Sequence, residues 1–227
     1  MVLAARDEAL LRESVEQIQK AGGEAVWVAG DLREPSEATR LIEKAVEAFG
    51  GIDIVVNNAG ATKRGEFVEL TDDEWEDGFA LKFFGAVRLL RAAWPHLKAS
   101  GGSVVNIAGV GGRTPGAQFA VGGSVNAALL SLTKALADVG VADGIQVNAI
   151  NPGAVRTGRF EARLHKVATG HSIGAEEAEA RMVREMNTTR IGEPEDIANL
   201  VTFLVAPGGR FLQGALIDMD GGETKTI

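Results

Sequence analysis

Short β-like runs alternate with amphipathic helical stretches along nearly the whole chain, and no other sequence feature restricts the fold as much. Parallel strands cannot be joined by tight hairpins; each needs a crossover, normally a helix, so this alternation predicts βαβ units and a parallel sheet. Val2 to Ala5 is a strand candidate, after which Leu11, Val15 and Ile18 recur at helical spacing until Gly22-Gly23. Ala25 to Ala29 reads as a strand, Leu41 to Phe49 as a helix closed by Gly50-Gly51, and Ile52 to Val56 as the third strand. Thr71 and Glu74 form a capping-box pattern that opens a long helix, one that Pro95 does not end. Ser103 to Ile107 is a strand, Val125 to Leu136 a helix rich in small residues, and Ile145 to Ile150 a strand running into Asn151-Pro152-Gly153. Residues 159 to 187 read as an exposed helical excursion, Pro194 starts a last helix, and Ala215 to Met219 is a final strand. With no repeat or linker, residues 1–227 are expected to form a single domain.

Charge and residue usage exclude several functions. A net charge of −8 offers no basic face for nucleic acid or an anionic membrane. The absence of cysteine removes disulfides, thiolate metal sites and cysteine nucleophiles. His96, His165 and His171 lack ligand spacing, so no metal site is expected. No apolar run is read as approaching the ~20 residues that span a bilayer, and the start lacks a signal peptide's pattern. A cytoplasmic location is therefore the expectation.

Six short motifs occur in order on the expected elements: Gly30-Asp31-Leu32, Asn57-Asn58-Ala59-Gly60, Val105-Asn106-Ile107, Asn148 through Gly153, Gly192-Glu193-Pro194-Glu195-Asp196-Ile197-Ala198, and Asp220-Gly221-Gly222. In this order they resemble the short-chain dehydrogenase/reductase family over essentially the whole chain. The resemblance implies a doubly wound, Rossmann-like parallel α/β sheet, a nicotinamide cofactor, a small carbonyl or alcohol substrate, and homo-oligomers (dimers or tetramers) built on the two long helices.

The chain departs from the family pattern in two respects. The family opens with a strand, a glycine-rich turn and a helix facing the cofactor pyrophosphate, whereas this chain begins at what resembles the second strand, roughly 30 residues later. Either the natural start lies upstream, or the gap is filled by rearrangement or by a partner chain. The family also carries a catalytic serine, tyrosine and lysine. Here the serine position falls on Gly109, the tyrosine position on Gly122 and the lysine position on Asn126, and the chain has no tyrosine at all. Glycine cannot exchange a proton and asparagine cannot supply a positive charge. Where the family places an asparagine in the long helix, this chain has Lys82. The amine is thus expected either to enter the same cleft from the opposite helix or to be an ordinary helix-surface lysine. Ser124 is a further ligand-binding candidate, with helix capping as its other reading, and Gly122-Gly123 leave either a wider pocket or close packing.

By the same resemblance, part of the cofactor surface remains. Arg6 stands where NADP-preferring members carry a base and Ala5 where NAD-preferring ones carry an acid, so NADP is expected over NAD. Asp31 and Leu32 match the adenine-contacting pair. Asn58, Ala59 and Gly60 match the ribose-side turn, and Pro152, Gly153, Val155 and Thr157 match the segment touching the nicotinamide carboxamide. Without the pyrophosphate loop, binding is expected to be weak. The expected function is hydride transfer between NADP(H) and a small carbonyl or alcohol with atypical proton transfer. The alternative is a catalytically silent binding or assembly protein.

Overall fold

The computed structural model describes residues 1–226. Six strands, β1 (Val2–Ala5), β2 (Val26–Ala29), β3 (Ile54–Asn57), β4 (Ser103–Ile107), β5 (Gln146–Pro152) and β6 (Leu216–Met219), are all parallel to their neighbours. Eight α-helices connect or flank them: α1 (Glu8–Lys20), α2 (Pro35–Phe49), α3 (Asp72–Phe79), α4 (Gly85–Ser100), α5 (Ala120–Asp143), α6 (Gly158–His171), α7 (Ala175–Met186) and α8 (Pro194–Val205). The strands form a β1–β2 pair and a β3–β4–β5–β6 sheet, and no backbone ladder joins β1 to β3. Along β3, Val55 and Asn57 are buried, whereas Ile54 and Val56 are 47% and 40% exposed, so one face of this edge strand is open.

One apolar core nevertheless spans both sheets. Val28 from β2, Ala38, Leu41 and Ile42 from α2, Leu89, Leu90, Ala93 and Leu97 from α4, and Val104 and Val147 from β4 and β5 pack as a single cluster. Each fully buried side chain of this size contributes about 1.5–3 kcal/mol relative to exposure. The capping box at Thr71 is present, with Thr71 accepting from the Glu74 N–H and Glu74 accepting from the Thr71 N–H.

Several elements differ from the sequence reading. The third strand covers Ile54–Asn57 rather than Ile52 to Val56, because Ile52 and Asp53 lie before its ladder begins. The long helix opened by Thr71 is interrupted: Ala80–Phe84 forms a π-turn in which the Gly85 N–H bonds Ala80 O. Helix α5 is twice the predicted length and, with the preceding turn, passes the length-and-hydropathy test for a membrane span over 117–143, contrary to the expectation of no such run. Ten of its residues, among them Val121, Val125, Leu129 and Ala137, are buried in the fold, which accounts for its apolar character. The excursion at 159–187 consists of two helices with a core of their own, Phe160, Leu164, Ala178, Met182 and Ile191. Arg156 ties them down through Glu161, Glu179 and Glu193 at 3.2, 2.8 and 3.1 Å.

Candidate active site

The C-terminal ends of parallel strands form the crevice where ligands bind in open α/β sheets. Here those ends carry Arg6 and Asp31 on the β1–β2 pair, Asn58-Ala59-Gly60 after β3, Ala108-Gly109 after β4 and Pro152-Gly153 at the end of β5. A buried polar chain registers the floor: Asn57 Nδ2 donates to Asn106 Oδ1 (2.8 Å), and Asn106 Nδ2 donates to Thr133 Oγ1 of α5 (2.9 Å).

Lys82 sits in the π-turn, a distortion that recurs at functional sites because one extra residue re-aims the side chains around it. Its aliphatic stem runs over Gly60, where a Cβ would lie 3.0 Å from Lys82 Cδ. Its Nζ donates to Ala108 O at 2.5 Å, beside Gly109. Burial, helped by the nearby Arg159 charge, pulls the amine down to about 8. Lys82 therefore enters the cleft rather than lying on the helix surface.

The three glycine and asparagine positions are structurally filled. Gly109 adopts φ +137°, a conformation essentially restricted to glycine, and a Cβ there would stand 3.0 Å from Asn126 Nδ2. Asn126 is 4% exposed and packs beneath Gly109, Gly111 and Gly112. At Gly122 the space a side chain would need holds the Phe119 ring, which also lies on Gly111; Gly123 packs on Pro115 and Gly111 O. The glycine pair thus serves close packing and opens no wider pocket. Ser124 lies inside α5, exposed, on a different side from Asn126, and the N-cap is Phe119. The structure gives it neither a capping role nor a place beside Lys82.

At the adenosine end, Asp31 accepts from the Arg33 backbone N–H (3.0 Å) and guanidinium (3.1 Å), with the Arg6 guanidinium 4.0 Å away. Burial alone would raise the Asp31 carboxyl, but these bonds and charges hold it below its ordinary value. Arg33 also bridges to Asp77 of α3 at 2.5 Å. Leu32 packs on Gly85, where a Cβ would meet Leu32 O at 3.3 Å. At the other end, Val155 is pinned to Gly192 by a parallel bridge, and Thr157 is the N-cap residue of α6. Arg6 is exposed and only loosely paired with Asp31, at 4.0 Å, and the charged and the backbone-lined ends of the crevice suit a dinucleotide. Sequence reasoning missed Phe119, Arg33 and Arg64. Arg64 stacks over Phe119 at 4.2 Å because Gly65 N–H bonds Gln118 O (3.2 Å) and Gln118 Nε2 bonds Glu66 (2.8 Å), clasping two loops together. These contacts join residues far apart in sequence, so no local pattern reveals them. Among the described residues no cluster suited to a metal occurs. Two surface hollows, about 480 Å³ beside His171 and Arg181 and about 650 Å³ beside Trp27 and Arg40, are lined by none of these site residues. Convergent chemistry, not volume, marks the site.

A family model described as enoyl-(acyl carrier protein) reductase matches residues 1–224. The chain belongs to the short-chain dehydrogenase/reductase family of oxidoreductases. An uncharacterized oxidoreductase of Mycobacterium tuberculosis is 36% identical over 226 residues, covering 99% of this chain and 82% of the relative. The crystal structure of L-sorbose reductase from Gluconobacter frateurii, complexed with NADPH and L-sorbose, superposes with a TM-score of 0.95 at 29% identity, over 100% of this chain and 87% of the other. An apo short-chain oxidoreductase from Pseudomonas aeruginosa, described as containing an atypical catalytic center, gives 0.91 at 25% identity over 100% and 88%.

Proposed function

We propose that this chain transfers hydride between NADP(H) and a small carbonyl compound or alcohol, with the Lys82 amine exchanging the proton at the substrate oxygen. The observation that carries the reading is the entry of Lys82 into the crevice through the π-turn, anchored on Ala108 O beside Gly109. NADPH, when bound, supplies a hydride to the carbonyl carbon. One Lys82 N–H bond points at Ala108 O, leaving the remaining protons of the ammonium for the oxygen that becomes the alkoxide. One of those remaining N–H bonds breaks, the alcohol O–H bond forms, and the neutral amine takes a proton back from water. An amine lowered to about 8 is suited to both halves of this cycle. Arg6 would hold the 2′-phosphate, Asp31 and Leu32 the adenosine, Asn58-Ala59-Gly60 the ribose, and Pro152, Gly153, Val155 and Thr157 the carboxamide side.

Support comes from the NADPH-bound L-sorbose reductase and from the relative described as having an atypical catalytic center. The separation of β1 from β3 supports weak cofactor binding, since among the described residues no strand-to-helix turn between them offers backbone N–H groups to a pyrophosphate. We take the protein to work in the cytoplasm as a homo-oligomer, using the exposed residues Ala127, Lys134, Ala135 and Val139 of α5; sedimentation at equilibrium reads the oligomer.

The test is NADPH oxidation with a panel of small ketones and aldehydes. Lys82→Met should lower kcat by about 10²-fold or more while NADPH binding, followed by fluorescence, persists. Turnover by the Met variant at the wild-type rate would refute the role. A silent binding protein is the second reading, favoured by the Phe119 ring that closes the tyrosine position at Gly122. It predicts NADPH binding with no turnover on any substrate in the panel.

A further inference from the structure

Cations around this site either pair with a carboxylate or lack one. Lys63 pairs with Glu74 at 3.2 Å, Arg113 with Asp218 at 3.0 Å, and Arg156 with three glutamates. Arg64, Lys82, Arg159 and Arg163 have no carboxylate oxygen within 4.0 Å among the described residues. They come from three elements: the loop after β3, the π-turn, and the first turns of α6, which starts directly after Thr157. Burial, with the charge of Arg159 on Lys82 and of Arg163 on Arg64, disfavours both cations, and Glu223 opposes this at Arg64. Arg64, Arg159 and Arg163 are exposed, so water screens them in the free protein, and an anion entering the cleft would meet them together.

The local geometry shows what kind of counter-charge the space admits. Glu223, on the segment after β6, brings Oε2 against Gly153, where a Cβ would lie 2.9 Å from it. Burial and the neighbouring Asp220 raise this carboxyl, while Arg163 and Arg64 pull it the other way. A carboxyl group therefore reaches the cationic cluster without forming an ion pair. The Arg64 guanidinium lies over the Phe119 ring at 4.2 Å, an arrangement that fixes its plane and leaves its N–H edges for an anion.

We propose that the substrate carries, besides its carbonyl, an anionic carboxylate or phosphate group, and that Arg64 and Arg163 bind it at the α6 side of the cleft. This rests on the reading of Lys82 as the group at the reacting oxygen. Lys82 and Arg159 then lie toward the carbonyl, and Arg64 and Arg163 toward the charged end.

Isothermal titration tests the idea on the full chain, with and without NADPH. The probes are oxo acids from 2-oxobutanoate to 5-oxohexanoate, each against its methyl ester, and dihydroxyacetone phosphate against dihydroxyacetone. At least one charged member should bind about tenfold more tightly than its neutral partner, a margin that shrinks as salt rises. The margin should vanish in Arg64→Ala/Arg163→Ala, or in Arg64→Gln/Arg163→Gln if the alanine pair melts early. Equal affinity within every pair overturns the proposal. So does a double variant that keeps the margin while losing NADPH affinity, since the cations would then serve the cofactor's own phosphates. Charge-selective binding with no NADPH oxidation leaves the anion site standing and removes the hydride-transfer reading instead.

Discussion

A charged ammonium on a partly buried lysine costs free energy that a neutral amine does not. Burial and the Arg159 charge bring Lys82 to about 8, against an ordinary value of 10.5. Between these two pH values the unfolded chain binds more protons than the native one, so native stability rises with pH across that window. The penalty is present in full below about pH 8 and disappears above 10.5. Lys82→Met should therefore be more stable than the parent at pH 7, with the advantage fading from pH 8 to 10.5 in urea titrations; a gap that does not change with pH would contradict the assignment. Reduction should slow above about pH 8, as the ammonium is depleted, and alcohol oxidation should quicken through the same range. The position of Lys82 was legible by counting from Trp75 and checking against Gly85, a count of residues that the π-turn between them does not alter. The Gly109 backbone and the Phe119 ring were not. A φ of +137° leaves no sequence mark beyond glycine itself, and Phe119 reaches Gly111 and Gly122 only because the turn at 116–119 folds back.

The elements around the site are held by a few long-range polar links. Thr133 Oγ1 accepts from Asn106 and donates to Leu129 O, so α5, β4 and β3 share one buried chain. Thr133→Val keeps the shape and leaves the Asn106 amide without an acceptor, which should cost about 1–3 kcal/mol in urea unfolding. Arg156 fastens α6, α7 and the start of α8 through its three glutamates. Arg156→Ala should accelerate amide hydrogen exchange across Gly158–Met186 while α2 and α4 keep their protection. Element order and type were legible almost throughout, since apolar periodicity and the Thr71 capping box are local signals. The π-turn was hidden because its five residues, Ala80 to Phe84, continue an ordinary helical pattern. The paired helices α6 and α7 looked merely exposed because Glu and Ala outnumber the few residues, Phe160, Leu164 and Met182, that form their core.

On the scale of the whole molecule, the two ends of the crevice belong to different sheets: Arg6 and Asp31 to β1–β2, Asn58 and Pro152 to β3–β6. A dinucleotide that touches both ends should raise the melting temperature in proportion to the logarithm of its concentration, with about 2.7 kcal/mol gained at one hundred times Kd. Arg6→Ala should cut the preference for NADPH over NADH about tenfold, read from the same melts. The fold class was legible from six short motifs. The structure shows that packing of α2 on α4, with Arg33 bridging Asp31 to Asp77 and Arg88 bonding Arg33 O at 2.8 Å, holds the two parts together. The span from Arg6 to Pro152 is therefore set by packed side chains and a few polar links, so a molecule bound at both ends bears on that packing rather than on a backbone ladder.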